Sequence, residues 1–326
     1  MTRRRRCGEF EGIARYFAPL ARAYPLAFGL RDDAALLRLR AGEDAVVTSD
    51  AMVAGVHFFP DDAPGLVAAK LLRTNLSDLA AKGARAIGYQ LVTAWSAETD
   101  ENWMAAFARG LAGEQRRYAI ALMGGDTVAT PGPASFAITA IGRVRRGAMI
   151  RRSGARAGHD IYVSGHIGDA HLGLLLRRRD FRLDRDKVSA RYLLRRHQLP
   201  EPRLVLGRAL VGLASAAVDV SDGLLADLGH ICEASGVGAR VELMALPISR
   251  QALRAMAVAP ATRLALASGG DDYEICFTAP RAARERIVRL SARLGLPLTR
   301  IGAVTRGTGV EAIGADGRAI PVNQTG

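Results

Sequence analysis

Five stretches of the chain set carboxylates among small hydroxyl or glycine neighbours: RDDAALL (31–37), TSDAMVAGVH (48–57), NLSDLAAKG (75–83), MGGDTVATP (123–131) and VDVSDGLLADL (218–228). Clustered carboxylates repel one another unless a cation or hydrogen-bond donors compensate them. The arrangement recurs here in a chain of net charge +13. Mg²⁺ prefers oxygen ligands in octahedral geometry and relies on a few carboxylates, waters and substrate phosphates. With no His or Cys set at metal spacing, these Asp, Ser and Thr oxygens read as magnesium carrying a nucleotide, and zinc is disfavoured. Each motif also has a plainer reading. Asp219 and Asp222 suit the cap of the helix that follows them. Asp78 suits an exposed ion pair with Lys82 at i+4. MGGDT suits an ordinary turn and RDD a solvated loop. Spacing alone leaves these alternatives open.

Other chemistries find less support. No GxxxxGK[ST] occurs, so a P-loop is excluded. SGVGARVE lacks the third glycine of a dinucleotide fingerprint. No GxSxG element or catalytic cysteine setting is present. His166 and His171 flank GDA at a spacing that suits a structural or surface role better than a metal site.

The elements that must position the acids follow from periodicity. Phe10, Ile13, Phe17, Leu20 and Tyr24 predict one amphipathic helix over 10–24. AVVTSD (45–50) predicts a strand that stops at its acid. Pro64 opens a helix that runs to Gly83 and carries Asn75, Asp78 and Lys82 on one polar stripe. YQLVTAW (89–95) is a strand, Asp100 caps a helix around Trp103, Phe107 and Leu111, and YAIALM (118–123) is a buried strand running into GGD. SFAITAIGRV closes this half. Past an Arg-rich segment the pattern restarts with DIYVSG (160–165) and helices around 168–178, 188–197 and 201–214. The strand AAVDV, a helix over 222–235 ended by Gly236, the strand ARVEL and the strand YEICFT (273–278) follow. Pro280 then opens a helix ending near Gly295. Strands alternating with helices predict two α/β domains joined near residue 148.

Composition agrees with that organisation. The 326 residues suffice for about two domains of roughly 150 each, and 49% are hydrophobic. The longest apolar runs, such as ALVGLASAAV (209–218), fall short of the about 20 residues a bilayer needs, so no membrane association is expected. The RRRR run at 3–6 leads into Cys7, Gly8 and Glu9 rather than an apolar stretch, so no signal peptide is expected. Cys7, Cys232 and Cys276 are scattered and odd in number, which fits a reducing cytoplasm. All but three of the 45 basic residues (Lys70, Lys82 and Lys187) are arginine. Most are dispersed, which argues against a nucleic-acid partner.

Taken in order, GEFEGIARYF, DDAALL, TSDAMVAGVHF, NLSDLAAKGA, MGGDT, RSGARAGHDIYVSG, VDVSDGLLADLGHI and SGGDDYEICF resemble the thiamine-monophosphate kinase family over roughly residues 8–320. The resemblance implies a mixed α/β, two-domain fold of the aminoimidazole ribonucleotide synthetase type. Residues 1–148 would form an N-terminal ATP/Mg-binding and dimerisation domain, and 149–326 a C-terminal α/β domain. It implies a cytoplasmic homodimer that uses ATP and Mg²⁺ to phosphorylate thiamine monophosphate to thiamine diphosphate. Carried over by motif, Asp33, Thr48, Ser49, Asp50, Asp78, Asp126, Asp219 and Asp222 would hold magnesium. Gly125, Asp126, Arg152 and Ser221 would contact ATP, and His57 and Asp271 the thiamine substrate, with no residue acting as general base. Another ATP-using enzyme of this fold with a different acceptor, or a nucleotide-binding protein without turnover, are the alternatives. Two residues depart from the family pattern. Arg31 stands where glycine is usual, and Asp271 stands where glutamate is common, keeping the charge with less reach. The family's aromatic-containing final segment would begin about where this chain reaches Asn323–Gly326.

Overall fold

The computed structural model describes residues 8–259 and 261–320. The Arg3–Arg6 run, Cys7 and the segment Asn323–Gly326 lie outside the described residues. The chain divides into two compact units, Met1–Leu79 with Ala84–Gly147, and Ala80–Gly83 with Ala148–Gly326.

The first unit begins with a broken helical ribbon rather than the single helix expected over 10–24. One turn, α1 (Glu9–Gly12), passes into a π turn (Ile13–Phe17) and then a 3₁₀ turn (Ala18–Ala21). Pro19 explains the change. It has no N–H to give and its ring crowds the carbonyl four residues back, so a regular α ladder cannot run through it. Phe17 and Leu20 are buried, whereas Phe10 is left 83% exposed.

Four strands follow: β1 (Glu43–Val53), β2 (Arg85–Ser96), β3 (Ala121–Thr130) and β4 (Ser135–Arg145), in sheet order β1-β4-β2-β3. The helix α2 (Pro64–Ala81) separates β1 from β2 in sequence. Parallel β2 and β3 are joined through α3 (Glu101–Tyr118), the helical crossover such a pair requires. Asp100 caps α3 by accepting from Trp103 N at 2.8 Å. The core sets Leu71, Leu72, Leu76 and Leu79 of α2 and Phe107 and Leu111 of α3 among buried Tyr89, Trp95, Phe136 and Ile138 of the strands. The rings of Trp95, Trp103, Phe107 and Phe136 pack at centroid separations of 4.8 to 5.8 Å. Val47, Val92 and Val128 stay exposed at 59%, 44% and 46%.

Two strands are longer than their patterns predict. β1 runs three residues past Asp50, because antiparallel pairing with β4 continues to Val53↔Ser135 and Met52 is buried. β3 continues through Gly124, Gly125 and Asp126 instead of turning there. Its register with β2 shifts by one residue between Tyr89↔Leu122 and Gln90↔Gly124, and pairing then continues to Ser96↔Thr130. Asp50 and Asp126 are therefore strand residues, not strand ends.

The second unit has a seven-stranded sheet in the order β11-β10-β7-β9-β5-β8-β6. Its strands are β5 (Asp160–Ser164), β6 (Ala216–Asp219), β7 (Gly238–Glu242), β8 (Ile275–Ala279), β9 (Leu298–Thr305), β10 (Gly309–Ile313) and β11 (Ala319–Ile320). Among the described residues of this sheet, only β7 and β10 pair in parallel. The helices are α4 (Asp169–Arg178), α5 (Lys187–Gln198), α6 (Leu204–Leu210), α7 (Leu224–Ser235), α8 (Arg250–Met256), α9 (Arg263–Ser268) and α10 (Arg284–Leu294). The helix expected over 201–214 shrinks to α6, since Arg203 before it (ψ 47°) and Val211 after it (ψ 123°) leave the helical region. Val163, Val218, Leu225, Leu228, Ile231, Val241 and Ile301 join one buried cluster behind α7.

Candidate functional site

In the first unit a cavity of ≈ 310 Å³ is lined by Leu30, Asp32, Asp33, Gly125, Asp126 and Thr139 among others. Phe28, Gly29 and Leu30 all take positive φ (50°, 67° and 58°), which bends the chain back before the two acids. Asp33 N then donates to Asp32 Oδ1 at 2.8 Å, which ties the two acids together. On the facing strand Gly125 has φ 153°, and a Cβ built there would sit 1.8 Å from Leu91 O. Only glycine fits. Asp126 beside it is exposed and accepts from Thr127 N at 2.8 Å. Thr127 is itself anchored by Thr93 and the Trp95 indole, each at 2.8 Å.

A second group lies between β1 and α2. Thr48 Oγ1 donates to Asp78 Oδ2 at 2.6 Å, and Asp50 N donates to Asn75 Oδ1 at 3.1 Å. The ion pair between Asp78 and Lys82 does not form. Lys82 Nζ instead donates to the Ala217 carbonyl at 2.9 Å. Strand alternation turns Ser49 to the opposite face from Thr48, where its hydroxyl bonds Ile138 O and lies 3.2 Å from Thr139 Oγ1. Among the described residues no Lys or Arg forms an ion pair with Asp33, Asp78 or Asp126. His57, in the turn after β1, accepts from Val53 N through Nδ1 at 3.1 Å.

In the second unit Asp219 ends β6, 5% exposed, and Ser221 and Asp222 form the loop into α7. Neither Asp219 nor Asp222 caps that helix. Its cap residue is Gly223, at φ 124°, and the amides before it are held from inside the helix. Asp227 Oδ2 accepts from the N–H groups of Ser221, Asp222 and Gly223 at 3.0, 3.1 and 3.1 Å. Burial and the nearby Asp222 push the Asp227 carboxyl up to about 7, against the pull of the three amides. Oxygen or nitrogen atoms of Asp222, Asp227 and His230 lie within 4.8 Å of one another.

The segment 269–274 is stitched to this loop through the backbone. Asp271 N donates to Ser221 O, Tyr273 N to Val220 O, and Val220 N to Glu274 O, each at 2.8 Å. A side chain at Gly270 would meet Ser221 O at 2.3 Å. Asp271, at φ 71°, places Oδ2 3.1 Å from Nδ1 of buried His197, within ion-pair reach but without hydrogen-bond geometry. Asp272 is fully buried and accepts from Gly168 N and Ala170 N at the start of α4. Burial pushes its carboxyl up to about 8. Buried Glu274 accepts from Ser164, Arg196 and Arg203. Arg152 is exposed, and its carbonyl accepts from Ser235 Oγ, at the end of α7 remote from Ser221.

The structure thus groups Asp33, Gly125 and Asp126 in one cavity, Thr48 with Asp78, and Asp219, Ser221, Asp222 and Asp271 along two joined loops. His57 is bonded to Val53 N and Arg152 to Ser235 Oγ within their own units. Sequence reasoning missed Asp227 and His197. Asp227 had one visible sign, a carboxylate in the first turn of the helix.

Against known families, residues 31–144 match the N-terminal domain of AIR synthase related proteins and residues 156–314 match their C-terminal domain. The chain belongs to the AIR synthase related family. Within it, the similarity is to thiamine-monophosphate kinases. A relative of that name from Caulobacter vibrioides is 47% identical over 308 residues, 93% of this chain and 86% of its own. The crystal structure of thiamine-monophosphate kinase from Stenotrophomonas maltophilia K279a superposes with a TM-score of 0.81 at 41% identity, covering 94% of this chain and 98% of that one. AaThiL complexed with AMPPCP and TMP superposes with a TM-score of 0.76 at 26% identity, covering 89% and 88%.

Proposed function

We propose that this chain is a thiamine-monophosphate kinase, transferring the γ-phosphoryl group of ATP to the phosphate of thiamine monophosphate to give ADP and thiamine diphosphate. The observation that carries this reading is the 47% identity to a kinase of that name across 93% of the chain. The acceptor chemistry suits the site. A phosphate monoester, with a second pKa of about 6, is mostly dianionic at neutral pH. It needs no general base, and none stands out among the candidate residues.

The residues fit magnesium. The donors are carboxylate and hydroxyl oxygens, and Asp33, Asp78 and Asp126 carry charge that no described Lys or Arg pairs with. In the first unit Asp33, Thr48, Ser49, Asp50, Asp78 and Asp126 would hold the ions, and in the second Asp219 and Asp222. When bound, Mg²⁺ would neutralise phosphate charge and orient the transferring group. Gly125 and Asp126 of the first unit, and Arg152 and Ser221 of the second, would contact ATP. His57 and Asp271 would meet the thiamine substrate. Residues 1–148 and 149–326 serve as the ATP/Mg and C-terminal domains in this reading. A homodimer is supported by exposed Val47, Val92 and Val128 on the strands of the first unit. A reducing, cytoplasmic location is supported by buried Cys232 and Cys276 being free thiols.

The test is formation of ADP and thiamine diphosphate from ATP, Mg²⁺ and thiamine monophosphate, with magnesium-free and Asp219→Ala controls. Product that requires both magnesium and Asp219 is expected. Turnover that survives either control removes the metal assignment, and ATP binding without thiamine diphosphate removes the substrate.

A further inference from the structure

Carboxylates that precede a helix are usually its caps, yet α7 is capped from within. One oxygen of Asp227 takes three consecutive backbone N–H groups, those of Ser221, Asp222 and Gly223. Asp227 is 1% exposed and its own N–H is bonded to Gly223 O at 2.9 Å, so the side chain starts from a fixed point. The loop it grips has little room to move elsewhere. A Cβ on Gly223 would come within 2.5 Å of Ser268 O, and one on Gly270 within 2.3 Å of Ser221 O. The carbonyls of the same loop are committed as well, Ser221 O to Asp271 N and Val220 O to Tyr273 N.

We propose that Asp227 is a positioning residue for Mg²⁺·ATP: by accepting the three amides it fixes the backbone from which Ser221 and Asp222 project. This rests on the reading of Ser221 and Asp222 as nucleotide and metal contacts. Because those amides are satisfied from inside the helix, the Ser221 and Asp222 side chains are not drawn into capping and stay directed by the loop alone. The two loops share backbone hydrogen bonds, so the same grip extends to Asp271. Loss of the carboxylate therefore weakens use of both ATP and the phosphate acceptor. What matters in this role is an acceptor oxygen at the Oδ2 position, and the charge is secondary.

That distinction makes the test. Asp227→Ala removes the acceptor, whereas Asp227→Asn keeps an oxygen and removes the charge. Three readouts are compared with wild type on the full chain: amide hydrogen exchange at residues 221–223 without ligand, calorimetric binding of Mg²⁺ with a non-hydrolysable ATP analogue, and steady-state KM and kcat. Outer-shell partners of this kind typically change affinity or activity by about 10–100-fold. A loss of that size in analogue affinity and KM is expected for Asp227→Ala, together with faster exchange at the three amides, and Asp227→Asn should restore both. If Asp227→Ala fails to fold, Asp227→Asn decides alone, near-wild-type values supporting the proposal. Asp227→Asn as impaired as Asp227→Ala would overturn it, since the charge would then be acting directly on a cation. Unchanged exchange and affinity in Asp227→Ala would overturn it too. A wild-type chain that binds the analogue but makes no thiamine diphosphate would sink the kinase reading, while the exchange and binding arms would still decide this one.

Discussion

Gly124 and Gly125 sit side by side in β3, and the structure predicts opposite fates for them when each becomes alanine. At Gly124 the new methyl would find only Gln90 Nε2, at 3.9 Å, an ordinary contact. At Gly125 it would sit 1.8 Å from Leu91 O and 2.7 Å from Leu91 C, in the paired ladder of β2 and β3. Relief requires parting the strands or turning the peptide, and forced overpacking of this kind costs roughly 1–3 kcal/mol. The residue also holds φ 153°, where a side chain adds strain of about 1–3 kcal/mol. The sum, about 2–6 kcal/mol, is a large part of a domain's typical 5–15 kcal/mol. At about 2–4 °C per kcal/mol, Gly125→Ala should lower Tm by roughly 4–24 °C. Gly124→Ala should stay within about 1 kcal/mol of wild type, as surface substitutions without a clash usually do. Thermal unfolding reads the stability, and the KM for ATP should rise only in Gly125→Ala, where the strand must shift beneath Asp126. Equal Tm values for the two variants would show that β3 does not approach β2 as described. An unaltered KM in a destabilised Gly125→Ala would remove the glycine from nucleotide binding.

Two further predictions concern the second unit. Glu274→Ala leaves Arg196 and Arg203, both largely buried, without their carboxylate. Breaking a buried pair from one side costs about 3–5 kcal/mol, so urea unfolding should show a lower midpoint with an unchanged slope; a midpoint like wild type would refute the network's role. Asp160 accepts from Arg284 Nε and Nη2 at 2.7 Å each, and that pairing holds its carboxyl below the ordinary 3.8. A depressed carboxylate stabilises the fold above its unfolded pKa, and the contribution disappears as pH falls through the folded value. The stability gap between wild type and Asp160→Asn should thus be full at neutral pH and close on acidification below 3.8; a gap that instead widens in acid would contradict the pairing.

Periodicity made most elements legible because it reports local burial: β5, β8 and α7 fall where their apolar patterns place them. It failed where a non-local partner decided the outcome. β1 outruns Asp50 because β4 is there to pair with it, and no pattern within TSDAMV records that. β3 passes through Gly124-Gly125, a turn signal in isolation, because the missing side chain is what admits Leu91 O. The acids were recognisable as a set, but their grouping was not. Asp33 and Asp126 reach one cavity through a left-handed bend at Phe28–Leu30 that non-glycine residues rarely signal. Asp227 is the most instructive case. A carboxylate and a serine just before an apolar run read as a helix cap, so local logic gave that work to Asp219 and Asp222. The structure assigns it to a residue four positions beyond the cap, on the helix's buried side. A loop held this way satisfies its amides without using its own side chains, and a cation-binding loop gains from that arrangement: a fixed backbone, with carboxylate and hydroxyl oxygens still available to the ion.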